Sequence, residues 1–388
     1  MNKIKTIKDI KIEGKNVFLR VDYNVTLDDK GNVLNDFRIK SGLLTLKEIL
    51  KKKPKKIIIA THLGRPEGKE ARFSTKSVAE RLMKLCGRPV EHIPDCINVL
   101  EEIEESDAQI VVLENLRYYP EEKKNDPVFA KKLADPADVF INDAFGVCHR
   151  AHASVHAITT FIPGAIGPLV EKELKVFDEA LSVKDKKLVV VLGGSKLETK
   201  IPLLKNLILK ANRILLGGAM IFTFYKAKGY DTGKSLVDRD AISFAKILLN
   251  NDNLILPEDI VIADDMNHPT NILTVKPNYV PAYMIGLDIG EKTIKTYLKE
   301  LDSADIVIWN GPLGYYENKE FATGTNAIIK KLAHHEGKVI IGGGDTASMI
   351  EQLGLVKRFH HVSTGGGASL KLLEGGSLPA LEALSKAK

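Results

Sequence analysis

The chain has 388 residues, 44% of them apolar and 27% charged, and carries a formal charge of +6 from 56 basic and 50 acidic side chains. That length favours two hydrophobic cores over one, and the composition is that of an ordinary soluble protein. No apolar run approaches the ~20 residues of a membrane span, and the positive charge is too diffuse, without an arginine-rich block, to argue for nucleic acid.

The N-terminus, Met1-Asn2-Lys3-Ile4-Lys5, leads into polar residues with no apolar signal core. Cys86, Cys96 and Cys148 are odd in number and form no CxxC pair. Both features fit a reducing, cytoplasmic setting. Short β-rich runs then alternate with helical stretches from end to end. Strands are expected at Val17–Val21, Lys56–Ala60, Val90–Ile93, Gln109–Leu113, Val139–Ile141, Leu188–Leu192, Arg213–Leu216, Asp259–Ala263, Asp305–Trp309, Lys338–Ile341 and His360–Val362. Most are apolar throughout, as in parallel strands covered on both faces. Helices are expected between them, among others at Ser77–Leu85, Ile201–Leu209 and Thr325–Ala333. Lys51–Lys56 reads as a solvated helix end before a strand.

Alternating β and α elements imply an α/β fold with right-handed crossovers. Pro163-Gly164 and Gly167-Pro168 punctuate a turn, Val170, Leu174, Phe177 and Leu181 then recur at helical spacing, and Lys184-Asp185-Lys186-Lys187 leads into a new strand. The expected architecture is two doubly wound, Rossmann-like parallel-sheet domains joined by a helix that serves as a hinge. The domains span 1–168 and 184–374, with 169–183 between them.

In open α/β sheets ligands bind beyond the carboxyl ends of the strands. In the first half those ends and one loop offer Arg20, Arg38, Arg65, Arg117 and Arg150, together with Asp22, Asn24 and His62. Arginine's planar fork suits carboxylate and phosphate, so a small, multiply anionic ligand is implied. The second half is different. Its strand ends carry Gly193-Gly194-Ser195-Lys196, with Lys200 four residues on, then Gly217-Gly218, Asn310-Gly311-Pro312, Gly342-Gly343-Gly344-Asp345-Thr346 and Gly365-Gly366-Gly367. Glycine N–H groups and lysines for phosphates, with one carboxylate for a metal, make the chemistry of a magnesium nucleotide. An active site is expected in the cleft between the halves.

Three other patterns fail on context. Gly229–Ser235 resembles a phosphate loop but has three residues between its glycines rather than four, and it follows a probable helix, Phe222–Lys228. Gly342–Ala347 satisfies G-x-G-x-x-A, but the next strand ends in Thr364-Gly365 without the acidic residue that a NAD ribose needs. Cys148, His149, His152 and His156 lack a paired cysteine cluster, and Arg150 sets a cation among them, so buried or anion-facing histidines are the better account than zinc.

Across nearly its whole length, and in the same order, the chain resembles the phosphoglycerate kinase family. The matching motifs are Arg20–Val25, His62–Pro66, Glu114–Arg117, His149–His152, Gly286–Gly290, Trp309–Pro312, Gly342–Thr346 and Ser363–Leu370. The resemblance implies a two-domain, hinge-closing, monomeric kinase of glycolysis that moves a phosphoryl group between ATP and the carboxylate of 3-phosphoglycerate, or back from 1,3-bisphosphoglycerate to ADP. It implies that Asp22, Asn24, Arg38, His62, Arg65, Arg117 and Arg150 hold the phosphoglycerate. Arg38 and Lys200 would also meet the moving group, aided by the backbone at Gly343 and Gly366. Lys196 and Lys200 would grip the nucleotide phosphates, Asp345 the magnesium, and Thr346 and Gly342–Gly344 the phosphate tail. Glu317 would meet the ribose, and Gly218, Leu287, Asn310 and Pro312 would line the nucleotide slot. The tail, 375–388, would return to the first domain. Thr26, Cys148 and Tyr315-Tyr316 depart from the usual family residues without removing a needed charge.

Overall fold

The computed structural model describes residues 4–182 and 185–387. The expected strand-launching Lys184 and the last residue of the 169–183 segment lie outside the described residues. The chain divides into two compact units, 1–175 with 377–388, and 176–376. The division falls within one helix, Pro168–Ser182.

The first unit is built on β1 (Asn16–Val21), β2 (Lys56–Ala60), β3 (Val90–Ile93), β4 (Ile110–Leu113), β5 (Val139–Asp143) and β6 (Gly164–Ile166). They form one parallel sheet in the order β3-β4-β2-β1-β5-β6. β2 and β4 are buried along both faces, which explains the unbroken runs Ile57–Ile59 and Ile110–Leu113. Residues between Pro163-Gly164 and Gly167-Pro168, expected to be a turn, instead form β6. Its Gly164 is required because a Cβ there would lie 2.8 Å from Leu384 and 2.9 Å from Phe140. Leu384 belongs to the C-terminal helix Pro379–Lys386, whose Ala380 N–H donates to the Cys148 carbonyl.

Lys56 corrects another expectation. It is buried, and its ammonium donates to the carbonyls of Ser106 and Ala108 (2.9 Å to the latter), fastening β2 to the start of β4 rather than meeting solvent.

The second unit holds β7 (Leu188–Leu192), β8 (Arg213–Leu216), β9 (Leu254–Ile255), β10 (Ile260–Ala263), β11 (Ile272–Val275), β12 (Ile285–Ile289), β13 (Ile306–Asn310), β14 (Lys338–Gly342) and β15 (His361–Val362). Six of them make a second parallel sheet, β15-β14-β13-β7-β8-β9. Its core centres on Trp309, Tyr297, Leu332 and Ile341. The segment expected as the strand Asp259–Ala263 does not join that sheet. As β10 it pairs antiparallel with β11 and β12 in a separate three-stranded sheet, which adds a wall to the parallel layer. No helix among the described residues is long and apolar enough to cross a membrane.

Candidate active site

The chemistry-bearing residues of the first unit gather at the carboxyl ends of β1, β2, β4 and β5. Asp22 follows β1, and its carboxylate forms an ion pair with Arg38. Arg38 lies in the first turn of the helix Phe37–Lys51, rather than in the loop expected from sequence. Asn24 accepts the Gly64 N–H at 2.8 Å, which ties the loop after β1 to the loop after β2. Arg117, in the turn after β4, donates to the Gly64 carbonyl. Burial and the neighbouring cations Arg20, Arg150 and Arg65 lower its pKa to about 10, with Asp22 opposing. Arg65 and Arg150 are exposed, and Arg150 donates to His149 Nε2 at 3.0 Å.

Crowded cations without a matching carboxylate set repel one another. Such a cluster is stabilised by an anion with several charged oxygens, because arginine binds carboxylate and phosphate through paired N–H groups. The expected residues Asp22, Asn24, Arg38, His62, Arg65, Arg117 and Arg150 therefore sit on one sheet edge. Arg20 differs from the reading that grouped it with them. It is wholly buried, and each of its three nitrogens is turned to a buried partner, the Val21 carbonyl, Ser154 or His62.

Glu114, at the head of the Glu114–Arg117 motif, has a structural task. It accepts from Ser74 Oγ at 2.7 Å, Thr75 N–H at 2.8 Å and Asn115 N–H at 2.7 Å. Against burial, those bonds and His92 hold its pKa down at about 2. Cys148, His152 and His156 are not on one helix. Short turns carry them, and no group of three metal-ligating side chains occurs among the described residues. His152 is held near pKa 4 by burial and by Arg20, Arg150 and Arg117, which suits a neutral ring beside cations.

In the second unit, the ends of β7, β8, β12 and β13 surround a cavity of about 420 Å³. Gly194, Gly218, Leu287, Pro312, Glu317 and Asp345 are among its walls. Gly193 lets β7 and the loop after β13 come together, since a Cβ there would stand 1.8 Å from the Pro312 carbonyl oxygen. Phe222, Leu236, Met266 and Tyr315 also line the cavity and were not legible as site residues. They are ordinary apolar or aromatic residues on separate elements, and nothing in their spacing marks them.

Polar groups collect beside this cavity. Lys200 donates to Asn310 Oδ1, and burial lowers its pKa while Asp345 and Glu374 oppose. Asn310 Nδ2 is buried and makes no hydrogen bond among the described residues. Gly343, where a Cβ would approach that nitrogen to 2.5 Å, has φ of 88° and so lies where glycine is favoured. It caps the helix Gly344–Gln352, whose first turn carries Asp345 and Thr346. Thr346 is buried, and its hydroxyl accepts the Gly311 N–H at 2.7 Å, which leaves its own proton to donate to another partner. Gly366, with φ of 46°, caps the second glycine-opened helix, Gly367–Leu373. Lys196 is exposed.

An unpaired buried amide donor, a desolvated ammonium and bare N–H groups at a helix start suit phosphate oxygens. The largely apolar cavity next to them suits a purine. Asp345 is exposed and directly follows the glycine triplet in the chain. A lone carboxylate fits magnesium, which commonly takes one or two protein carboxylates and completes its shell with water and substrate phosphates.

Comparison with known proteins agrees. The family model described as "Phosphoglycerate kinase" matches residues 7–376. The cytosolic phosphoglycerate kinase of Triticum aestivum is 44% identical over 398 residues, covering 99% of this chain and 98% of its own. The phosphoglycerate kinase of Chlorobium limicola is 44% identical over 394 residues, covering 98% and 99%. Among solved structures, phosphoglycerate kinase from Coxiella burnetii superposes with a TM-score of 0.87 at 33% identity over the whole of both chains. The enzyme from Pyrococcus horikoshii gives 0.85 at 30% identity over 98% of each. By a family model that spans residues 7–376 and relatives that match it over nearly its whole length, the chain belongs to the phosphoglycerate kinase family.

Proposed function

We infer that this protein catalyses reversible phosphoryl transfer between ATP and the carboxylate of 3-phosphoglycerate, the glycolytic reaction that links 1,3-bisphosphoglycerate and ADP to 3-phosphoglycerate and ATP. The observation that carries this reading is the contrast between the two sheet edges. One presents guanidinium groups with Asp22, Asn24 and His62; the other presents glycine N–H groups, Lys200 and Asp345 beside an apolar cavity.

In this reading Arg65, Arg117 and Arg150 neutralise the phosphate of the acid, and Asp22, Asn24 and His62 orient its hydroxyl and carboxylate. Arg38 meets both the acid and the moving group. Leu287, Pro312 and Gly218 hold the base, Glu317 the ribose, and Lys196, Lys200, Asn310, Thr346 and the backbone of Gly342–Gly344 the phosphates. Asp345 would hold the magnesium ion, which supplies neutralising charge to the phosphate oxygens.

The acceptor carboxylate has a pKa of about 4 and is ionised at neutral pH, so no general base is needed. The chemical problem is to bring one anion onto another. A loose phosphoryl transition state spreads charge over its equatorial oxygens, so positioned cations and N–H groups supply most of the catalysis. Arg38, Lys200 and the backbone at Gly343 and Gly366 serve that purpose.

Calorimetric titration tests the assignment of ligands to units. Arg65→Ala is expected to weaken 3-phosphoglycerate binding at least tenfold and leave ATP binding unchanged, and Lys196→Ala to do the converse. Loss of both ligands together in either folded variant would contradict it.

A further inference from the structure

Arg20 is an unusual side chain to find with no exposed surface. Its Nε donates to Ser154 Oγ at 3.0 Å, one terminal nitrogen donates to the Val21 carbonyl, and the other lies 3.1 Å from His62 Nδ1. Ser154 in turn donates its hydroxyl to Glu122 Oε1 at 2.6 Å and its N–H to Glu122 Oε2 at 2.9 Å. Glu122, Ser154 and Arg20 are all buried, so this chain of bonds runs through the interior from the helix Pro120–Lys124 to the end of β1.

A guanidinium has five donors, no acceptor and does not lose its proton in a protein. The nitrogen of His62 that faces it must therefore be the acceptor. An imidazole whose Nδ1 accepts carries its single proton on Nε2 and is neutral. We propose that Arg20 is a positioning residue for the phosphoglycerate site. Held by Ser154 and Glu122, it locks His62 as the neutral Nε2–H tautomer, so that the ring offers the acid one N–H donor and no charge.

Burial acts on the ring most strongly, and Arg20, Arg117, Arg38 and His152 act in the same direction. Together they disfavour a second proton on His62, holding it well below the ordinary histidine range. A neutral donor is chemically sensible beside so many guanidinium groups. It adds direction and selectivity for an oxygen without adding a further cation to a cluster that already repels itself. Arg20 thus differs from Arg65 and Arg150, which are exposed, in acting through another side chain.

The part concerning the acid rests on the phosphoglycerate reading, but the tautomer can be measured without any ligand. Nitrogen-15 correlation spectra of the imidazoles in the whole protein, assigned against His62→Gln, are expected to show His62 protonated on Nε2 alone and unchanged from pH 8 down to about pH 5. A proton on Nδ1, or titration near the ordinary pKa of about 6.5, would overturn the proposal. In folded Arg20→Lys, which retains the charge and loses the fork, mixed tautomers should appear. The KM for 3-phosphoglycerate should rise about tenfold with the KM for ATP unchanged. An unaltered His62 spectrum in that folded variant would remove Arg20 from the role. His62→Gln, whose amide N–H reaches the Nε2 position, should bind 3-phosphoglycerate better than His62→Asn; the reverse order would also overturn it. Absence of any 3-phosphoglycerate binding by the unmodified protein would fault the functional reading instead, and the spectra would still decide the tautomer.

Discussion

Asp22 and Arg38 form an ion pair beyond the carboxyl end of β1, with the aspartate side chain 7% exposed and the arginine 30%. The cation assigned to the moving phosphoryl group is thus aimed by a fixed, nearly buried carboxylate. Such orientation lowers the cost of reaching the transition-state geometry.

Arg38→Ala should therefore lower kcat by about a thousandfold, the lower end of what an arginine on a transferring phosphoryl group contributes. ATP affinity should change little. Steady-state kinetics with each substrate varied in turn will separate the two effects, and near-normal turnover would remove Arg38 from the chemical step.

Lys200 and Asp345 predict different losses. Lys200 is anchored to Asn310 and partly desolvated, so Lys200→Ala should cut kcat by roughly a hundredfold or more. Asp345→Ala should chiefly weaken nucleotide binding in the presence of magnesium. Titrations of ATP with magnesium and with a chelator should converge for Asp345→Ala and remain apart for the unmodified protein.

Asp288, at the end of β12, provides a pH signature. It is buried on the cavity wall, accepts the N–H groups of Gly324 and Ile289 at 2.8 Å each, and has its pKa pushed up to about 7, chiefly by desolvation. A folded-state pKa above the unfolded value means that the native state binds the proton more tightly. The stability this provides is fully present below about pH 4 and is lost as pH rises through about 7. Urea unfolding of the unmodified protein and Asp288→Asn at pH 5 and pH 8 should show the variant gaining relative stability at the higher pH. A gap independent of pH would contradict this.

Gly193→Ala tests the approach of β7 to the loop after β13. The added methyl would meet the backbone carbonyl of Pro312, and backbone cannot swing aside as a side chain can. A loss of about 3 kcal/mol in unfolding free energy is expected, at the upper end of overpacking costs. The KM for ATP should rise, because Pro312 is also a cavity wall.

The parallel sheets were legible because strands buried on both faces must be apolar throughout, as Ile57–Ile59 and Val189–Val191 are. The antiparallel sheet was not. β11 is four residues long and mostly exposed, and in β12 Ile285, Leu287 and Ile289 alternate with Gly286 and Asp288, a pattern unlike the unbroken apolar runs of the parallel strands. β6 is three residues long and hidden between proline-glycine pairs.

The site was legible wherever chemistry restricts the residue type, as with the arginines, Lys200 and the glycine triplets. Its apolar walls, Phe222 and Met266 among them, arise only when separate elements meet. Arg20 and Lys56 show the same limit. A charged residue at a strand end reads as solvent- or ligand-facing until its buried partners are seen.

Phosphoryl transfer from ATP to the carboxylate of 3-phosphoglycerate is tested most directly by ATP consumption coupled to reduction of the acyl phosphate product. Turnover should require 3-phosphoglycerate and magnesium together, and should stop when either is withheld or the metal is chelated. ATP consumption that ignores 3-phosphoglycerate, or ATP binding with no turnover when everything is supplied, would contradict the account.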